Sequence, residues 1–148
     1  MEVRTEIEIS APPAQIWKVL LDFRRYPEWN PFIVHLAGEP NVGSKLAMTL
    51  SLPDSNRERE VTSRLLRCDT EQELRWLGHL WMKGLFDGEH FLRLEPRDDG
   101  TTRIVHGEDF HGIFLRFMMK QVTETTRGFV YMNQALKKRV EQGARRAR

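Results

Sequence analysis

The period of the apolar residues changes once along this chain, and that change limits what it can fold into. From Ile113 onward, Leu115, Met118, Val122, Thr126, Phe129, Asn133, Leu136 and Val140 step by three or four toward Gly143. Such spacing predicts one long amphipathic helix with a wide apolar face. Upstream the period is two. Val3, Thr5, Ile7 and Ile9 alternate with Arg4, Glu6 and Glu8, as in a half-buried strand. Ser10-Ala11-Pro12-Pro13 ends that strand, and Ile16, Trp17, Leu20 and Leu21 then recur at helical spacing, a short helix over 13–21 opened by proline. Two further prolines confine residues 22–31 to a turn of helix and a loop.

Six strands follow in series, near 32–36, 46–52, 58–68, 74–78, 85–96 and 102–111, with tight turns and no helix between them. This pattern predicts an antiparallel meander. The loop of the last hairpin, Asp98-Asp99-Gly100, allows two registers. A two-residue Asp99-Gly100 turn pairs Leu92 with Gly107. A three-residue loop with Gly100 left-handed pairs Leu94 with Ile104, Leu92 with His106 and His90 with Glu108. Only the second keeps Leu92, Leu94, Ile104 and Phe110 on one face, so the pattern selects it and sets His90, His106 and Glu108 among apolar neighbours.

A curved antiparallel sheet and one long helix bury their apolar faces together only if the sheet wraps the helix. The fold class is therefore α+β, and sheets closed this way leave hollows that serve as ligand sites. At 148 residues the chain has the length of one domain, taken as 1–143 with a basic disordered tail at 144–148. Charge is unevenly placed. Residues 137–148 hold six Lys and Arg against Glu141, a local +5, and the whole chain totals +2, so residues 1–136 sum to −3. A slightly acidic body excludes a folded nucleic-acid face. No apolar run approaches a membrane span, the N-terminus is acidic, and the single Cys68 excludes an internal disulfide. These features lead to the expectation of a cytoplasmic protein without a transmembrane segment. Exposed edges of an open sheet would allow a homodimer.

The opening Ile-x-Ile-Ser-Ala-Pro-Pro-x-x-Ile-Trp-x-Val-Leu, residues 7–20, resembles the start of the SRPBCC superfamily, the START-like or Bet v-like group. Residues 22–32, Asp-Phe-x-x-Tyr-Pro-x-Trp-Asn-Pro-Phe, are similar to its polyketide cyclase/dehydrase branch. So are Leu74-x-Trp76-x-Gly78, Gly84–His90, and Thr102-x-Ile104-x-His106-x-Glu108-x-Phe110-x-Gly112. The resemblance implies a helix-grip fold, with two short helices after the first strand and the sheet closed round the C-terminal helix. It also implies a small-molecule partner, since members bind lipids, sterols, polyketides, quinones and hormones. Some members are enzymes and some act on chaperones or ribosomes, so a cyclase or dehydratase and a protein-interaction module stand beside simple binding.

Two imidazoles and a carboxylate on one concave face suit general acid–base chemistry, which makes His90, His106 and Glu108 the catalytic candidates. The bland alternative is a hydrogen-bonded trio that satisfies buried polar groups. Their spacing matches no metal signature, and neither a metal nor a cofactor is expected. No nucleophile elbow, His-Glu-x-x-His or dinucleotide fingerprint occurs. Trp76, Met48, Leu50, Leu92, Met118, Val122 and Phe129 are the expected apolar lining, joined by Trp29 from an aromatic loop that either lids the cavity or plugs the sheet's end. Asn30 is expected to hold that loop through its side chain.

Overall fold

The strands form one seven-stranded antiparallel sheet in the order β1-β7-β6-β5-β4-β3-β2. They are β1 (Glu2–Ile9), β2 (Ile33–Ala37), β3 (Lys45–Ser51), β4 (Glu58–Asp69), β5 (Glu73–His79), β6 (Asp87–Pro96) and β7 (Thr102–His111). Only β1 leaves the meander, crossing to pair with β7, because α1 (Pro13–Leu21) and α2 (Tyr26–Trp29) intervene before β2. This is the helix-grip arrangement. The computed structural model describes residues 1–79 and 82–146, the last three as backbone only.

The last hairpin takes the register that the apolar pattern selects. Leu94 faces Ile104, Leu92 faces His106 and His90 faces Glu108, with Gly100 at φ +85° in the loop. The opposite face of these strands is not bare. Phe91 is buried there under the guanidinium groups of Arg75 and Arg93, 4.8 and 5.4 Å from its ring centroid. Gly107 makes room for that ring, since a Cβ at Gly107 would meet Phe91 Cζ at 2.7 Å.

The long helix begins later than its spacing predicts. Residues from Ile113 to Met118 are not part of α3 (Met119–Arg146); they fold as a loop with a 3-10 turn over Leu115–Phe117. The cause is a tertiary tie. Backbone N–H groups of Ile113 and Phe114 donate to the carbonyls of Gly84 and Leu85, and Gly112 sits at φ +133° to allow the approach. Ile113 and Phe117 are consequently exposed. At its other end α3 continues past Gly143 to Arg146. The remainder of the expected basic tail, residues 147 and 148, lies outside the described residues.

Phe129, Met132, Leu136 and Val140 of α3 pack against Leu46, Leu65, Leu74, Leu92 and Ile104 of the sheet. Burying each large side chain of this kind contributes about 1.5–3 kcal/mol. A second, smaller apolar cluster, Phe86, Phe110, Met118 and Val122, closes the end of the sheet nearest the start of α3. Among the described residues no helix is long and apolar enough to cross a membrane.

Candidate functional site

The two clusters do not meet everywhere. Between them lies a cavity of about 80 Å³, room for several waters or part of one small molecule. Its wall takes Phe32, Ile33, Met48, Leu50, Leu52, Val61 and Trp76 from one side and Phe86 and Phe110 from the other. Gly78 and Gly88 make its floor. They are directly paired on β5 and β6, so two side chains are missing from adjacent strands at one level of the sheet. Ser63 and Phe110 flank the pair on β4 and β7.

Glu108 leans over this notch. A Cβ on Gly88 would sit 2.8 Å from Glu108 Cδ and closer still to its Oε2. The carboxyl lines the cavity and makes no hydrogen bond to a described residue. The residue is partly buried, and burial pushes its pKa up to about 8. At neutral pH it is mainly a protonated acid, a hydrogen-bond donor aimed at an apolar space.

His90 and His106 belong to a chain of hydrogen bonds that fixes their tautomers. The Thr5 hydroxyl donates to the His106 backbone carbonyl at 2.8 Å. With that hydrogen committed, Thr5 Oγ1 accepts from Asn133 Nδ2 at 2.9 Å. Asn133 therefore turns its Oδ1 to His106 Nδ1, 2.7 Å away, and that nitrogen must carry the hydrogen. Neutral His106 then has a bare Nε2, which accepts from His90 Nε2 at 2.5 Å. The remaining nitrogen of His90, Nδ1, holds a lone pair and has no hydrogen-bond partner among the described residues. Burial keeps both rings neutral. It holds His106 down at about 4, against a small upward pull from Asn133. For His90 burial is joined by His106 and Arg75, which drive it well below the usual imidazole range.

Aromatic rings clamp this pair. Phe129 stacks on His90 and His106 at centroid distances of 4.9 and 4.1 Å, and Trp76 meets the edge of His90 at 4.4 Å. Met48, Trp76, His90 and Glu108 thus share the cavity wall. The other expected site residues stand elsewhere. Leu92 and Phe129 are in the main core, and His106 is fully buried behind His90. Met118 and Val122 belong to the second cluster, with Val122 also on a separate open groove against β1. Trp29 is partly buried against Tyr26 and packs on the main core, and of the aromatic loop only Phe32 reaches the cavity. Asn30 Oδ1 does hold that loop, accepting from the backbone N–H of Phe32 and Ile33.

Sequence reasoning passed over Ser63, Arg59, Gln121 and the Gly78–Gly88 pair, all on the cavity wall. Ser63 Oγ and Gln121 Oε1 are buried with no hydrogen-bond partner among the described residues. Glycine inside a strand is a legible sign of close approach, and here two such signs fall opposite each other. Among the described residues no group of three His, Cys, Asp or Glu is placed to hold a metal ion. The Cys68 thiol is pushed up, first by burial and then by Asp69, which leaves it a poor nucleophile.

Residues 1–144 match the family described as polyketide cyclase / dehydrase and lipid transport. The chain belongs to that family. No curated protein sequence matches it. Among solved structures it is similar to a START superfamily protein from Mycobacterium smegmatis, with a TM-score of 0.73 and 18% identity over 95% of this chain and 97% of that one. A Thalictrum norcoclaurine synthase point mutant, in complex with a transition-state analogue, has a TM-score of 0.76 and 16% identity over 97% and 96% of the two chains. A Mesorhizobium loti protein has the same TM-score and identity over 96% and 98%. Identities this low establish the shared fold. The fold is the one shared with that START superfamily protein.

Proposed function

We propose that this family member binds a small hydrophobic or amphipathic molecule, of lipid, polyketide or other aromatic or isoprenoid type, in the cavity between sheet and α3. The observation that carries this reading is the unpartnered polar rim of an otherwise apolar space. The Glu108 carboxyl, Ser63 Oγ and Gln121 Oε1 all lie on the wall without hydrogen-bond partners among the described residues. Unpaired buried polar groups each cost about 1–3 kcal/mol, a cost that a ligand's own polar atoms would relieve. Neutral Glu108 is suited to donate to a ligand oxygen, and His90 Nδ1 to accept from a ligand hydroxyl.

The test is native mass spectrometry of freshly purified protein beside Gly88→Leu, with 2-acetonaphthone added to both. A saturable adduct on the wild type that the folded variant lacks is the expected result. Equal adducts on both proteins, or none on either, would overturn the reading.

A second reading, a cyclase- or dehydratase-like enzyme, is favoured by one pairing. An acid held protonated near neutrality lies across the strand from a histidine with a free lone pair. On a ligand carbonyl, Glu108 would give its proton to the oxygen while His90 Nδ1 takes one from the adjacent carbon, leaving an enol between carboxylate and imidazolium. Deuterium exchange into the acetyl methyl of bound 2-acetonaphthone, fast with wild type and at the solution rate with Glu108→Gln, is the outcome this reading requires. Exchange at the solution rate with wild type leaves binding alone.

A further inference from the structure

One charged residue is out of place on the concave face of the sheet. Along β4 the side chains of Arg59, Val61, Ser63 and Leu65 fall on the inner face, while Glu58, Glu60, Thr62 and Arg64 alternate outward. Val61, Ser63 and Arg59 all line the cavity, and Arg59 pairs across the ladder with Leu50, which lines it too. On the outer face Arg67, Arg75 and Arg93 all reach Glu73, and Arg64 donates to the Gly43 carbonyl. Arg59 makes no ion pair with any described residue. The next polar atom inward on its strand, Ser63 Oγ, is also without a partner, in a residue only 3% exposed.

The wall supplies no counter-charge. His79 is already engaged with Asp87 at 3.0 Å, and Asp87 also accepts from the Gly84 backbone N–H. His90 is buried in its chain of neutral rings. Glu108 is the sole carboxylate among the lining residues, and it lies toward β6 and β7, over Gly88. A guanidinium without an ion pair among the described residues, on a wall shared with apolar side chains and the Ser63 hydroxyl, is suited to take a planar anion through two parallel N–H donors.

We infer that the ligand of this cavity is an apolar monocarboxylate, its carboxylate held by Arg59 and Ser63 at the β3–β4 end and its body lying over the Gly78–Gly88 notch toward Glu108. This rests on the proposed binding function and goes further by fixing the charge and orientation of the ligand. An aromatic acid and a fatty acid share the required chemistry.

The experiment measures dissociation constants of four probes by tryptophan fluorescence and calorimetry. They are 2-naphthoate, its uncharged counterpart 2-acetonaphthone, octanoate, and its counterpart 2-nonanone. Wild type is expected to bind at least one acid about tenfold more tightly than its neutral partner, the size of one charge-assisted hydrogen bond. Arg59→Met should erase that preference, and Arg59→Lys should restore part of it. A preference confined to naphthoate assigns the ring acids, and one confined to octanoate the fatty acids. Ketones that bind as tightly as the acids, or a preference that survives Arg59→Met, would overturn the inference and leave the cavity reading intact. If no probe binds wild type, both fall together.

Discussion

Gly88 faces Gly78 directly across β5 and β6, and the Glu108 carboxyl occupies the space that a side chain on Gly88 would fill. The hollow is therefore written into the sheet itself, by two absent side chains at one level. Filling it from the floor should be costly. Gly88→Ala is expected to destabilise by about 1–3 kcal/mol, as overpacking does. In a Glu108→Ala background the same change should cost almost nothing, and urea unfolding of the four proteins gives the coupling directly.

Stability should pass through a maximum near pH 6.5. Unfolded histidine takes its proton near 6.5, but His106 resists until about 4 and His90 is also held low. Over that window the unfolded chain binds more protons, so stability is lost as pH falls. His106 alone contributes up to about 3 kcal/mol. Glu108 works in the opposite direction. Its carboxyl ionises near 4.5 when unfolded and near 8 when folded, so the folded state binds more protons and stability falls as pH rises through that range. Glu108→Gln should steepen the rise below 6.5 and abolish the decline between 6.5 and 8. A decline of the same size in the variant would show that another group causes it.

Asn133 is expected to set the tautomers of both histidines. Long-range proton–nitrogen NMR at pH 7 should show hydrogen on His106 Nδ1 and His90 Nε2, following the bonds to Asn133 Oδ1 and between the two Nε2 atoms. Asn133→Leu strands the His106 N–H and should cost about 1–3 kcal/mol. Asn133→Asp should raise the His106 pKa, because a carboxylate favours the imidazolium. An unmoved titration in that variant would contradict the network.

On the outer face, Glu73 is the shared partner of Arg67, Arg75 and Arg93, each 3.1 Å from a carboxylate oxygen. Burial raises its pKa, but bonds from Arg75 and Arg93 outweigh that and hold it below the usual carboxylate range. Its contribution is present at neutral pH and is lost as pH falls through that lowered value. Glu73→Gln takes from Arg93 its one carboxylate among the described residues and leaves Arg75 with Glu89 and Arg67 with Asp69, and should destabilise by about 2–3 kcal/mol at pH 7. The loss should shrink toward pH 3, and a constant loss across that range would count against the ion-pair account.

What could be read from the residues follows from how local each signal is. The His90–Glu108 pairing was legible because the Asp-Asp-Gly loop and the apolar alternation constrain one register between adjacent strands. The start of α3 was not. Its true boundary depends on backbone bonds from Ile113 and Phe114 to a loop some 30 residues upstream, which helical spacing cannot sense. Asn133 stood on the apolar face of the helix, but its bond to His106 joins residues 27 apart on different elements. Arg59 and Ser63 were within reach, since strand alternation alone sets them with Val61 and Leu65 on the inner face. The unequal burial of the candidate trio was out of reach. It needed the Gly78–Gly88 gap, which bares Glu108 to the cavity while His106 stays behind its neighbour.

The measurement that most directly tests ligand binding in this cavity is methyl-detected NMR during titration with 2-acetonaphthone. The account predicts shifts at Ile33, Met48, Leu50 and Val61, which line the cavity, with Met132 and Leu136 of the core unaffected. Shifts confined to Met1, Met119 and Val130 on the open groove beside β1, or no shifts at saturating probe, would contradict it.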